Sequence, residues 1–200
     1  MVGNENYVMP EMPAGCEDGI VKGIYKFRTV EANDSKHRVQ LFGSGAIMNC
    51  VLEAQQLLAD KFGISSDVWS VTSYTQLSRD AQECARWSML HPTEAPKKSY
   101  LETVLEGSEG PFIAASDYVR AHSEQVAKFL PGNMFVLGCD GMGRSETREA
   151  LRNHFEVDAK FVVLGTLTQL AAEEKISKED VAKAIQELGI DPDKRSPLYA

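Results

Sequence analysis

The residues best placed to do chemistry lie in GCDGMGRSE, positions 138–146. Against the nucleotide-binding pattern G-x-x-x-x-G-K-[ST], Gly138, Gly143 and Ser145 match, and Arg144 stands where lysine belongs. In a phosphate loop, backbone amides and a helix N-terminus converge on the anion while a compact ammonium reaches the outer phosphates. Arg144 keeps the charge and loses that geometry. A nucleotide-hydrolysing fold also needs strands beyond its loop to carry a magnesium-holding aspartate, whereas the residues after Ser145 read as helix. The segment therefore reads as a strand-to-helix turn, with Gly143, Arg144 and Ser145 left as a possible anion-binding trio.

Other groups are less complete. GSGAIM begins like a dinucleotide fingerprint, yet Met48 occupies the third glycine's place and VWSVTS ends in serine where an acidic residue would hold a ribose. Cys139–Gly141 has the look of the G-D-G that opens a magnesium and thiamine diphosphate motif, but no asparagine follows Asn153 to close it. His37, His91, His122 and His154 stand beside no nucleophile elbow or spaced carboxylate pair. Cys84, two helical turns before His91, lies on an apolar stripe where a thiol is a packing group. The residues by themselves designate no catalytic, cofactor-binding or metal-ligating set.

The elements that must position these residues follow from periodicity. Residues 1–16, with Pro10 and Pro13, predict an extended arm, since proline excludes helix from the position before it. Residues 17–200 predict one domain. EDGIVK reads as a short helix. GIYKFRTV and RVQLFGSG read as strands, expected to pair as an antiparallel hairpin because only a short polar segment joins them. Apolar residues from Ile47 to Phe62 recur at helical spacing until Gly63, and DVWSVTS is the next strand. Ser73 and Gln76 suggest a capping box for a helix that Pro92 stops. TEAPKKSYLETVLEGSEG reads as a surface excursion, FIAAS as a strand, residues from Asp117 to Phe129 as one helix and MFVLG as the fifth strand. KFVVLGTLTQLAA is read as helix, capped by Asp158, and Ser177 with Asp180 opens the last helix. The expected fold class is a three-layer α/β/α sandwich around five strands, mostly parallel with one antiparallel.

Composition narrows the function classes. Basic residues number 21 against 29 acidic, for a net charge of -8, and they are scattered, which disfavours nucleic acid. No apolar run approaches the roughly 20 residues that span a bilayer, and the first residues lack the order of a signal peptide. Four cysteines far apart, with no C-x-x-C pair, fit a reduced cytoplasmic interior.

Several stretches, SDVWSVTSYTQLSRDAQECARWSMLHP, PFIAASDYVRAHSEQVAKFLP, VLGCDGMGRSETREALRNHFEVDAKFVV and NENYVMPEMPAG, together resemble the C-terminal domain of the homodimeric, bacterial-type pyruvate dehydrogenase first component. The resemblance implies a transketolase C-terminal fold and a helical KFVVLGTLTQLAAEE. It implies a parent enzyme that decarboxylates pyruvate on thiamine diphosphate with magnesium and acetylates the lipoyl group of its acyltransferase partner. It further implies a homodimer whose cofactor lies between two preceding domains, so that no catalytic or cofactor residue carries over to this sequence. The expectation is a structural and assembly domain, catalytically silent alone. An alternative is a domain that senses a small anion or metabolite at the strand carboxyl ends, with Arg144 as its partner.

Overall fold

A computed structural model describes residues 7–199. The five strands are β1 (Ile24–Val30), β2 (Arg38–Gly43), β3 (Ser65–Val71), β4 (Phe112–Ala115) and β5 (Met134–Leu137), ordered β1-β3-β2-β4-β5. β2 pairs in parallel with both β3 and β4, β4 pairs in parallel with β5, and β1 runs antiparallel to β3 with a bulge between Lys26 and Arg28. The helices are α1 (Glu17–Lys22), α2 (Met48–Phe62), α3 (Tyr74–Leu90), α4 (Tyr100–Val104), α5 (Arg120–Glu124), α6 (Arg148–His154), α7 (Ala159–Ala172) and α8 (Lys178–Glu187).

Strand periodicity divides the core into two. Val39, Leu41, Val68 and Ile113 point to one face, where they meet α2 and α7. Phe42, Trp69, Phe112 and Ala114 point to the other, where they meet Tyr74 and Leu77 of α3 and Leu101 of α4. Helix, sheet and helix thus form the three expected layers. α7 is apolar on all sides because α8 covers it from outside, with Ala184 and Leu188 joining the same cluster.

Four expectations need correction. The hairpin does not form: β3 lies between β1 and β2. β2 is buried along nearly its whole length and requires a neighbour on each side, whereas β1 buries only Ile24, leaves its other residues partly or fully exposed, and suits an edge. The segment 31–37 reverses the chain and crosses about 10 Å, two strand spacings. The excursion at 93–110 contains α4, whose capping box at Ser99 and Glu102 buries Leu101. The helix expected from Asp117 is shorter, reduced to α5 and a 3₁₀ turn at Ala127–Phe129. Ser73 makes only half of its capping box, accepting from the Gln76 amide at 3.1 Å, because its own N–H is spent on the Gly23 carbonyl at 3.1 Å. The caps at Asp158 and at Ser177 with Asp180 form as read.

Of the arm, Tyr7–Cys16 contains no helix or strand, and its first six residues lie outside those described. Asn49 at the start of α2 donates to the Val8 carbonyl at 3.2 Å, and the Cys16 thiol donates to the Pro13 carbonyl at 3.0 Å.

Candidate functional site

From β2 the chain crosses to β3 on one side, while β4 lies on the other, so strand order reverses between β2 and β4. Open α/β sheets form a crevice beyond the carboxyl ends at such a switch point. Here the crevice walls are Ser44–Gly45 after β2 and Ser116–Asp117 after β4, and the Ser44 and Ser116 hydroxyls are 3.1 Å apart. Gly45 has φ +55, and a Cβ there would lie 3.3 Å from Asp117 Oδ1, so glycine both permits the turn and leaves the carboxylate room.

The crevice opens into a cavity of about 370 Å³, closed on its far side by α6. Arg148 and Arg152, one helical turn apart, both reach it, and Tyr7 of the arm covers them, its ring centre 3.9 Å from the Arg148 guanidinium and 5.4 Å from that of Arg152. Two buried polar atoms of residues lining this cavity, Asp117 Oδ1 and Arg152 Nη2, have no hydrogen-bond partner among the described residues. Cys139 lines it too, and burial, aided by Asp117 and Asp140, pushes its thiol up to about 11, so it is neutral at pH 7. A neutral thiol is neither a nucleophile nor a ready metal ligand.

The trio singled out from the sequence falls at the edge of this cavity. Gly143 and Arg144 line its rim, Ser145 does not, and all three are exposed. No phosphate cradle forms: the helix that follows is the short α6, and its cap is Thr147, which accepts from the Ala150 amide at 3.3 Å. The half-buried members, Asp117 and Arg152, were missed. The four-residue spacing of Arg148 and Arg152 was the available signal, since it stacks two guanidiniums on one helical face.

Several of the other sequence candidates are accounted for by their contacts. His91 stacks on Trp87 at 4.3 Å with its Nδ1 2.8 Å from the Trp87 carbonyl, forming no dyad with Cys84, whose thiol is raised mainly by burial. His122 lies between the rings of Tyr74 and Tyr118, at 5.7 and 5.0 Å. In the Cys139–Gly141 segment the Asp140 carboxylate accepts from the Arg120 backbone N–H at 3.1 Å and pairs with its guanidinium, so it does not fit a magnesium and diphosphate site. Among the described residues no group of three or more His, Cys, Asp and Glu could hold a metal ion, and no helix is long and apolar enough to cross a membrane.

At the opposite, amino end of the sheet a polar network centres on Asp67, although the neighbouring buried Ser66 Oγ has no partner among the described residues. Asp67, with its side chain 8 % exposed, accepts from Thr29 Oγ1 at 2.5 Å and Gln40 Nε2 at 3.3 Å, and pairs with Lys26 at 3.3 Å and Arg38 at 3.4 Å. Gln40 completes the network by accepting from Trp69 Nε1 at 2.8 Å and donating to the Glu109 carbonyl at 3.0 Å. Burial alone would raise the Asp67 carboxyl, but Thr29, Lys26 and Gln40 together hold it below the usual range.

Comparison with known proteins fits this architecture. Residues 23–158 match the transketolase-like C-terminal domain. Over 198 residues the chain is 50% identical to the pyruvate dehydrogenase E1 component of Escherichia coli, covering 98% of this chain and 22% of that protein. The corresponding proteins of Pseudomonas aeruginosa and Haemophilus influenzae are 49% and 48% identical, with the same coverage. The chain thus spans about a fifth of the length of these relatives. In fold it resembles a transketolase from Pichia stipitis crystallised with sedoheptulose-7-phosphate, with a TM-score of 0.54 at 14% identity, over 96% of this chain and 22% of that one. The chain belongs to the family of transketolase-like C-terminal domains.

Proposed function

We propose that this chain is the C-terminal structural and assembly module of a pyruvate dehydrogenase first component. The observation that carries the reading is the near 50% identity, over 98% of the chain, to proteins of that name. In this reading the longer polypeptide decarboxylates pyruvate on thiamine diphosphate with magnesium in the cytoplasm, and passes the acetyl group to the lipoyl group of its acyltransferase partner. The module's own partners are the remainder of the subunit and the second subunit of a homodimer.

Chemistry supports a supporting role. Asp140 is engaged by Arg120 and the Cys139 thiol is neutral, so neither is an open carboxylate or a thiolate nucleophile. The two-sided core and the satisfied network around Asp67 give a rigid body on which cofactor-bearing domains could be held.

The test is complementation. The Escherichia coli relative, cut to end before the region matching this chain, would be purified with and without the chain added. Pyruvate-dependent carbon dioxide release should return only when both pieces are present with thiamine diphosphate and magnesium. The chain alone should release none above background. Turnover by the isolated chain, or a shortened relative unaffected by its addition, would overturn the reading.

A further inference from the structure

Two residues lining the cavity at the switch point each carry a buried polar atom, Asp117 Oδ1 and Arg152 Nη2, with no hydrogen-bond partner among the described residues. A buried polar atom left unsatisfied costs about 1–3 kcal/mol, and folded proteins leave few of them without a reason. Both belong to residues that line one cavity of about 370 Å³, an acceptor beneath one wall and a donor beneath another. Direct pairing of the two would have satisfied both. Its absence leaves room for a third body.

Charge sets the class of that body. Three arginines, Arg144, Arg148 and Arg152, line the cavity against one acidic residue, Asp117, in a chain whose net charge is -8. The local excess is positive where the whole is negative, so an anionic head is favoured at the arginine wall. Asp117 then needs a donor from the same molecule, since a bare anion would leave it unmet and repel it. The lining fits this two-headed demand: Ile47, Leu151, Phe155 and Val157 offer apolar surface between the polar groups, as small-molecule sites do.

We propose that the crevice between β2 and β4 binds a small metabolite carrying an anionic group for Arg152 and a hydroxyl or ammonium donor for Asp117. Tyr7 rests on the same guanidinium pair and forms the cavity's wall toward the arm. The inference concerns a binding site and is independent of the assembly role proposed above.

Calorimetry on the intact chain tests it with four probes. Glycerol 3-phosphate and glycerate carry both an anion and hydroxyls, acetate carries the anion alone, and glycerol carries the donors alone. At least one of the first two should bind saturably, and at least tenfold tighter than acetate or glycerol. Which of the two wins identifies phosphate or carboxylate as the head. Arg152→Gln should weaken that probe tenfold or more, and Asp117→Ala should reduce it to the level of acetate. Flat traces for both two-headed probes, equal affinity for a half-probe, or folded variants that bind like wild type would sink the proposal. Should the variants fail to fold, a crystal of the wild-type chain soaked in glycerol 3-phosphate decides: density between Arg152 and Asp117 supports the site, and its absence there refutes it.

Discussion

The two ends of the sheet treat their aspartates, Asp67 and Asp117, in opposite ways. At the amino end Asp67 lies among Thr29, Gln40, Lys26 and Arg38, and each partner has a place in one network. At the carboxyl end Asp117 and Arg152 line a cavity, and each has a buried atom with no hydrogen-bond partner among the described residues. A satisfied network rigidifies, whereas an unsatisfied one carries a cost that only a partner offsets. The contrast teaches where this domain is built for stability and where it is built to receive something.

The comparison can be broken most severely at Gly110. Its φ is +82, and a Cβ there would sit 1.8 Å from the Arg38 carbonyl oxygen, beside the Asp67 network. Gly110→Ala combines left-handed strain with a backbone clash and should cost about 3 kcal/mol or more, lowering the melting temperature by about 10 °C. A melting curve within 3 °C of wild type, on the order of 1 kcal/mol, would contradict this.

Asp67→Ala comes next. It strands Gln40 and Thr29 and leaves Lys26 and Arg38 without their shared carboxylate, a loss of about 2–4 kcal/mol by denaturant unfolding. Because the folded carboxyl titrates below its ordinary value, its contribution is present above about pH 4 and disappears as pH falls through the lowered value. The wild type should therefore lose stability below pH 4, and Asp67→Ala should lose less over that interval. Parallel acid limbs for the two proteins would show that Asp67 is not responsible.

At the carboxyl end the same class of substitution should do far less. Asp117→Ala removes a carboxylate whose buried oxygen has no folded-state bond, so its effect should stay within about 1 kcal/mol of zero and could be stabilising. A loss as large as that of Asp67→Ala would erase the difference between the ends. The smallest effect is chemical. With its thiol pushed to about 11, Cys139 should resist iodoacetamide at pH 8 and react progressively faster as pH is raised, which peptide mass spectrometry would follow. Rapid labelling of Cys139 at pH 8 would contradict a neutral thiol.

How much of this could be read from the chain depends on the range of the interaction involved. Helix ends were legible because caps are local: Asp158 and the Ser177–Asp180 pair act within one turn. The place of β1 was not, because a short connection suggests a hairpin while the deciding fact is β2's need for two neighbours. α4 was hidden by the length of the segment around it, although Ser99 and Glu102 spell its capping box. At the cavity, glycine spacing drew notice to Arg144, which is exposed at the rim. The residues with unmet atoms come from positions 35 apart in the chain, Asp117 and Arg152, and only the sheet's strand order brings them to one cavity.

α7 has a consequence for motion. It packs against α2, the sheet and α8 along most of its surface, exposing only positions such as Lys160 and Thr168, and Val162, Val163 and Leu170 are each almost wholly shielded. Its amide protons should exchange with deuterium only when the whole domain opens, while those of α8, whose only fully buried residue is Ala184, exchange through fraying. The slowest amides of this single helix thus provide a clock for global unfolding, against which a ligand's grip on the distant crevice could be timed.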